Sequence, residues 1–573
     1  MSQHPLFMKK AIATAAGCLI AWASFAQKTN LGNEEVEVVK PYQPVLSDAI
    51  KITSSPQRDT LNTEPPVFNY AVEEKRQATA FNITPIKPVR IKDENIKELY
   101  RGFVKAGYGN YNTLYGEGFF NALRSKNFDA GIHLKHLSNG GKIKDYGYPG
   151  AASSGIKAHG KKFFESSALD GSLVFQREVN HFYGFKIPDI FSKKETRQTR
   201  GWVQGRFGFE SIQPVNDRFF YRAEVFFSSF NLKTSGYSAS ETDFEMSFMG
   251  GKKLGNDHKF KAEVNINPVK TVIPRYACPP GQICPAVVFP DVDISRNIVR
   301  IRPRYEFEKS GIQFSAGANL AFEKSYDLSF WRFYPVAGLH YPLIKDQLSF
   351  SAEISGDLKK NTLQSFTDEN PWIVTRELAG EKFLLNTNNK LNLSGGFIIR
   401  PERQLQFLVK AGYSRLLEQA FFINSLNTSG ITFYNVAFDT LNRINFHAEA
   451  QYAYFEKAGI TFKTDFFSYD MNAKRQPVFM PSFTAGLEGF YNIAEKIYAK
   501  TMITYTGTRK ALAIDGYQTL NAFTDISLGV DYRYSKILSF WIQVNNLTAT
   551  RYMQWYNYPS YRINAMAGAS LAF

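Results

Sequence analysis

Arg300, Arg302 and Arg304 alternate with Ile301 and Pro303. In an extended chain alternate side chains share a face, so three guanidiniums at this spacing form a basic ladder. Such a ladder can attract an anionic solute or hold an acidic segment. It can equally be neutralised by carboxylates in the same wall, with Glu306, Glu308, Glu263 and Glu353 as candidates, and that plainer reading is preferred. Cys278 and Cys284, in the run Cys-Pro-Pro-Gly-Gln-Ile-Cys, offer a second chemistry. Two close cysteines in an exported chain are expected to form a loop disulfide. A metal site needs further Cys or His close by, and the sequence supplies none there. His447 and Glu449 share a face and can act as an acid–base pair. With eight histidines in 573 residues and no phosphate loop, HExxH, GxSxG or Cys-x-x-Cys, nothing completes a catalytic set. No catalytic residue, metal or cofactor is therefore expected, and the chain does not read as an enzyme.

The elements that carry these residues alternate with period 2 from Arg101 to Phe573. Ile444, Phe446, Ala448, Ala450, Tyr452 and Tyr454 fall opposite Asn445, His447, Glu449 and Gln451. Phe260, Ala262, Val264 and Ile266 oppose Lys261, Glu263, Asn265 and Asn267. Each such strand of about 9–12 residues has one greasy and one polar side and is long enough to cross a bilayer at a tilt. Pro303 cannot donate to a ladder, so a bulge is expected there. Short turns are expected near 124–127, 165–167, 214–217, 255–258, 309–311, 345–346, 401–404, 457–459, 494–496 and 535–536. Longer polar connections lie between them, at 138–154, 187–197, 270–295, 360–381, 416–430 and 470–480 among others. Alternating short and long connections with an even strand count predict an all-β fold: a transmembrane antiparallel β-barrel of about 22 strands. Closure follows from backbone desolvation, because an open sheet edge in hydrocarbon leaves N–H and C=O groups unpaired. Tyr and Phe near strand ends fit an interfacial girdle.

Composition agrees. Aromatics reach 15%, with Phe 50 and Tyr 31, and charged residues 21%. No run of 18 apolar residues follows the N-terminal region, which excludes helical spans but not a barrel. The net charge of +16 comes with no nucleic-acid motif. Lys9 and Lys10 precede an apolar stretch ending in Ser24-Phe25-Ala26, which reads as a signal peptide over 1–26. A membrane anchor, or a lipoprotein modified at Cys18, fits the same stretch less well. Residues 27–100, rich in Pro, Thr, Asn and Lys, read as an irregular periplasmic or lumenal segment, and 101–573 as the barrel.

The two ends carry a resemblance. Ile542 to Tyr552, with its Asn545-Asn546-Leu547, then Trp555-Tyr556-Asn557-Tyr558-Pro559, then a last strand on which Tyr561, Ile563, Ala565, Ala567, Ala569, Leu571 and Phe573 share a face, resemble the closing strands of TonB-dependent outer-membrane receptors. The resemblance implies that Phe573 serves as the signal read by the barrel-assembly machinery. Glu34, Glu35, Val36, Glu37, Val38 and Val39 resemble the acidic–valine TonB box. A receptor of that family carries a folded plug, for which residues 27–100 are too short, so this chain is expected to be a short form without a normal plug. The resemblance further implies an integral place in the outer membrane of a Gram-negative bacterium, with the N-terminus periplasmic. Its surroundings are then outer-membrane lipid, the assembly machinery, and TonB or another envelope protein. The expected role is transport or passage of a solute; the alternative is a non-transporting accessory barrel in an outer-membrane complex.

Overall fold

A computed structural model describes residues 100–122, 125–186, 190–212, 219–275, 290–375, 382–426, 430–472, 475–513 and 516–573. The signal peptide, the TonB-box-like residues Glu34, Glu35, Val36, Glu37, Val38 and Val39, and both Cys278 and Cys284 lie outside the described residues.

Twenty-two strands form one closed antiparallel barrel. In chain order they begin with β1 (Gly102–Gly109), β2 (Thr113–Asn121), β3 (Phe128–Asn139), β4 (Ala151–Phe163), β5 (Ser167–His181) and β6 (Arg197–Ser211). Next come β7 (Phe219–Lys233), β8 (Ser238–Leu254), β9 (His258–Ile273), β10 (Val292–Lys309), β11 (Ile312–Ser325), β12 (Leu328–Ile344) and β13 (Leu348–Lys359). A short helix α1 (Leu363–Glu369) precedes β14 (Thr387–Glu402), β15 (Leu405–Leu426), β16 (Thr432–Tyr454), β17 (Ala458–Met471), β18 (Phe483–Ile493) and β19 (Ile497–Thr506). A loop hairpin, β20 (Arg509–Ala513) and β21 (Gly516–Leu520), leads to β22 (Phe523–Arg533) and β23 (Leu538–Asn545). A second small hairpin, β24 (Met553–Trp555) and β25 (Tyr558–Pro559), precedes the last strand, β26 (Asn564–Ala572).

Every barrel strand pairs with its neighbours in sequence, and β26 pairs back onto β1 from Phe103↔Ala572 to Gly109↔Met566. Two bonds finish the seam: the Gly102 N–H donates to the Phe573 carbonyl at 2.8 Å, and the Phe573 N–H to Gly102 at 2.9 Å. Each barrel strand has a partner on both sides over at least part of its length, the condition that hydrocarbon imposes on the part it surrounds. Twenty-two strands at normal spacing and tilt give a cylinder roughly 40 Å across. Alternation sets the two faces. On β16, Ile444 and Phe446 are exposed outward while His447 turns inward to Asp465. On β10, Ile301 and Tyr305 face out, opposite the arginines. Turns at one end are tight, with Gly255 and Gly311 at φ +78° and +81°, a region costly for a side chain. Exposed Tyr454, Phe455, Tyr491, Tyr532 and Tyr534 cluster at that end, on or next to β16, β18 and β22.

Three expectations need correction. The strands run from 8 to 23 residues, because many continue well beyond the bilayer at the long-loop end. The stretch 416–430, expected as a loop, is largely strand: pairing of β15 with β16 shifts between Leu416 and Gln419, where Glu418 takes φ +56°, and then continues to Leu426. Pro303 makes no bulge. Its register with β9 is unbroken, and the pairing of β10 with β11 lapses at 302–303 and resumes unshifted at Arg304↔Gly317. A missing donor interrupts the ladder locally without adding a residue to it.

The wall also divides at one place. β12 and β13 pair only from Ile344↔Leu348 to Ala337↔Ile354. Above that, β12 stays with β11, whereas β13 bends inward with β14 and lies over the inner face of β10–β12. Leu358 packs there against Ile298, Ala321 and Tyr334, and the Asn319 amide donates to the Gly356 carbonyl at 2.5 Å. The chain from Lys359 to Thr387 is thereby delivered into the mouth of the barrel.

Candidate functional site: a capped, ion-lined lumen

The connection between β13 and β14 is held by the wall residue by residue. Thr362 starts α1: its hydroxyl accepts from the Ser365 N–H at 2.9 Å, and the Ser365 hydroxyl accepts from the Thr362 N–H at 2.8 Å. Glu241, inward on β8, accepts from the Leu363 and Gln364 N–H groups at 2.8 and 3.2 Å and from the Thr271 hydroxyl at 2.9 Å. Its charge meets both the free N–H groups and the positive end of the helix. Arg296 lies 3.7 Å from Glu241, and both side chains are buried. The same guanidinium donates to the Asn361 carbonyl at 2.6 Å and to the Asn386 side chain at 3.0 Å, so it ties the two feet of the connection together. At the far end of α1, Arg200 on β6 donates to the Thr367 carbonyl, to Asp368 at 3.2 Å and to Glu178. Lys360 bridges Asp243 and Glu245 at 2.7 and 3.3 Å, and Arg332 bridges Glu323 and Glu418 at 3.0 and 3.4 Å. Burial pushes the pKa of Asp368 and of Glu369 above the ordinary carboxylate range, opposed by Arg200 at Asp368 and only by Lys359 at Glu369.

Above α1 the long loops share one apolar core. Phe182 and Phe185 from the β5–β6 loop meet Phe366, Ile373 and Phe383 from the β13–β14 connection, Tyr434 from β16, and Trp555 and Tyr558 from the β23–β26 loop. Trp372 stacks on Tyr558 with ring centres 3.9 Å apart, and its indole N–H donates to the His181 carbonyl at 2.9 Å. Tyr434 exchanges backbone bonds with Trp372 and Val374 at 3.0 and 2.8 Å. The Thr432 N–H donates to the Gly184 carbonyl at 2.9 Å, and its own carbonyl accepts the Tyr558 hydroxyl at 2.6 Å. These loops rise from well-separated parts of the ring, so their contacts lie across the mouth. The polarity of the loop sequences concealed this core; apolar residues such as Leu363, Phe366, Ile373 and Val374 scattered among polar ones were the available signal.

Below the cap the inner face is polar and charged. Arg300 donates to Asn265 and the Leu358 carbonyl, at 3.3 and 3.0 Å. Arg302 reaches Glu263 at 3.1 Å and Asp357 at 2.7 Å. Arg304 donates to the Ala318 carbonyl and the Asn319 side chain. All three arginines are thus inward and engaged. Glu306 pairs instead with Lys259 and Lys261. His447 lies 2.8 Å from Asp465 and 3.8 Å from Glu449, with no serine in that contact set. Opposite, Lys105 packs 4.4 Å over the Trp541 ring and 3.7 Å from Asp531. Phe573 is exposed on the outer face at the closing seam, against Gly102. The described residues contain no cluster of His, Cys, Asp and Glu fit for a metal ion.

No protein-family model and no curated protein matches the sequence. Solved structures do. The FrpB iron transporter from Neisseria meningitidis aligns over 83% of this chain and 82% of its own, with a TM-score of 0.65 at 9% identity. The ferric-catecholate import receptor Fiu from K12 E. coli aligns over 83% and 82%, with 0.63 at 9% identity. The pyoverdine outer membrane receptor FpvA from Pseudomonas aeruginosa aligns over 83% and 78%, with 0.63 at 11% identity. The chain therefore has the barrel fold of outer-membrane receptors, the architecture that its closing strands resemble.

Proposed function

We propose that this barrel resides in the outer membrane of a Gram-negative bacterium and passes a solute through its lumen, with the β13–β14 connection as its closure on the cell exterior. One observation carries the reading: a lumen lined with ion pairs is stopped at the long-loop end by a segment of the chain itself, clasped by Arg200, Glu241 and Arg296. An aqueous path needs charged and hydroxyl side chains inside, and a selective one needs a closure that side-chain contacts can release. The structural neighbours described as an iron transporter and an import receptor support a transport role. The solute is left open. Glu34, Glu35, Val36, Glu37, Val38 and Val39 supply the stretch through which TonB would couple, and deleting 34–39 while measuring uptake tests that element. Assembly through Phe573 and a disulfide between Cys278 and Cys284 belong to the same proposal.

Conductance in planar bilayers is the direct test. The full-length protein is expected to be mostly closed, and Glu241→Ala or Arg200→Ala to raise the open fraction at least tenfold. Removing Glu241 strands Arg296 and two helix N–H groups, a cost on the order of 3–5 kcal/mol for a buried pair. Silence in all three proteins, with other envelope proteins co-purifying in fixed ratio, would replace transport by the accessory role.

A further inference from the structure

The outward face changes character abruptly on three neighbouring strands. Along β5 the exposed row Leu173 and Phe175 gives way to Arg177; along β6, Val203 gives way to Arg197; along β7, Phe227 gives way to Lys233. Arg177, Arg197 and Lys233 are exposed and share the lipid-facing side with those apolar residues. The register places them on a staircase, with Arg177 opposite Gly201, Lys233 opposite Thr199, and Arg197 opposite His181. With normal strand spacing and rise, their Cα atoms stand roughly 8–14 Å apart. Among the described residues none of the three makes an ion pair, and the outward neighbours at this height, Val179, Thr199, Asn231 and Ser240, carry no charge. Directly above, the β5–β6 loop adds exposed Lys193 and Lys194, the former packed 4.0 Å over Tyr148. Among the described residues the nearby carboxylates are exposed Asp145 and Glu195, and Glu195 is already held by the Ser192 N–H and hydroxyl at 2.7 Å.

We infer that this rim binds the headgroup of a lipid bearing more than one phosphate, with its acyl chains on Leu173, Phe175, Val203 and Phe227. Phosphates separated by a sugar can engage three cations spread over this span from one headgroup. A greasy face ending at unpaired cations is complementary to an amphiphile rather than to a free anion. The inference rests on the outer-membrane reading for which leaflet meets the rim, but its readout is lipid binding, so either reading can fail alone.

The test uses full-length protein in neutral detergent, titrated by native mass spectrometry with diphosphorylated lipid A, phosphatidylglycerol and inorganic phosphate. The triple variant Arg177→Gln, Arg197→Gln, Lys233→Gln is compared with Lys126→Gln, Lys457→Gln, Lys496→Gln at the opposite end. The rim variant is expected to bind lipid A about a hundredfold more weakly, the sum of three cations near a headgroup, and the control as wild type. Unchanged affinity in the rim variant overturns the inference. So does wild-type phosphatidylglycerol binding as tight as that of lipid A, or displacement of lipid A by millimolar phosphate.

Discussion

Gly184 shows how tightly the cap is made. A Cβ there would come 2.6 Å from the Tyr558 ring, whose hydroxyl closes onto Thr432 while Thr432 itself donates to Gly184. Gly184→Ala is expected to push Tyr558 aside and loosen the cap by about 1–3 kcal/mol, the usual range for overpacking. Faster protease cleavage in the loops, with the barrel itself intact, is the measurement. Asp368 and Glu369 give the cap a pH dependence. Burial raises both, so their ionised forms are the disfavoured ones in the folded cap. Their contribution is full below the ordinary carboxylate range and lost as pH rises through the raised values. Open events should be rarer near pH 4 than at neutral pH, and Asp368→Asn with Glu369→Gln should flatten that difference. The arginine ladder shows what single residues disclose. Glu263 was a readable partner for Arg302 because β9 neighbours β10. Asp357 was not, because it comes from β13, three strands away, and reaches Arg302 only where β13 leaves the wall.

Strands were legible and the cap was not, for one physical reason. A strand's two faces meet different solvents, which writes period 2 into β9, β10 and β16. The β13–β14 connection has no such rule: α1 is seven residues long, and its stability comes from Glu241, Arg200 and the apolar core rather than from its own sequence. The capping pair Thr362 and Ser365 was a local clue to the helix, beside the scattered apolar residues. Because the connection is held by contacts to the wall, replacing 362–385 by a short turn is expected to leave a folded barrel with a steadily conducting pore. Retained heat-modifiable mobility in gels, together with raised bilayer current, checks both halves of that statement. Loss of the barrel itself would mean that the connection is part of the wall's own stability.

At the scale of the molecule, closure depends on a short seam between β1 and β26 that the chain's last residue completes. Phe573 supplies both terminal bonds to Gly102, and its ring covers the position where a Cβ would stand. Removing Phe573 is expected to lower the fraction of assembled barrel in cells several-fold while leaving the soluble precursor, measurable by the same gel shift. The division of the wall between β12 and β13 has its own consequence. Over 328–336, β12 has a strand on one side only, so its other flank shows ladder groups that no described strand meets. Surrounded by acyl chains, each would cost several kcal/mol. The pair Ala337↔Ile354 therefore marks a waterline on this flank, above which Phe333 and Trp331 stand among headgroups. Phe175, Val203 and Phe227 stop at a similar distance from their turns, so the cylinder floats level, and its draught is written in where one strand parts from the next.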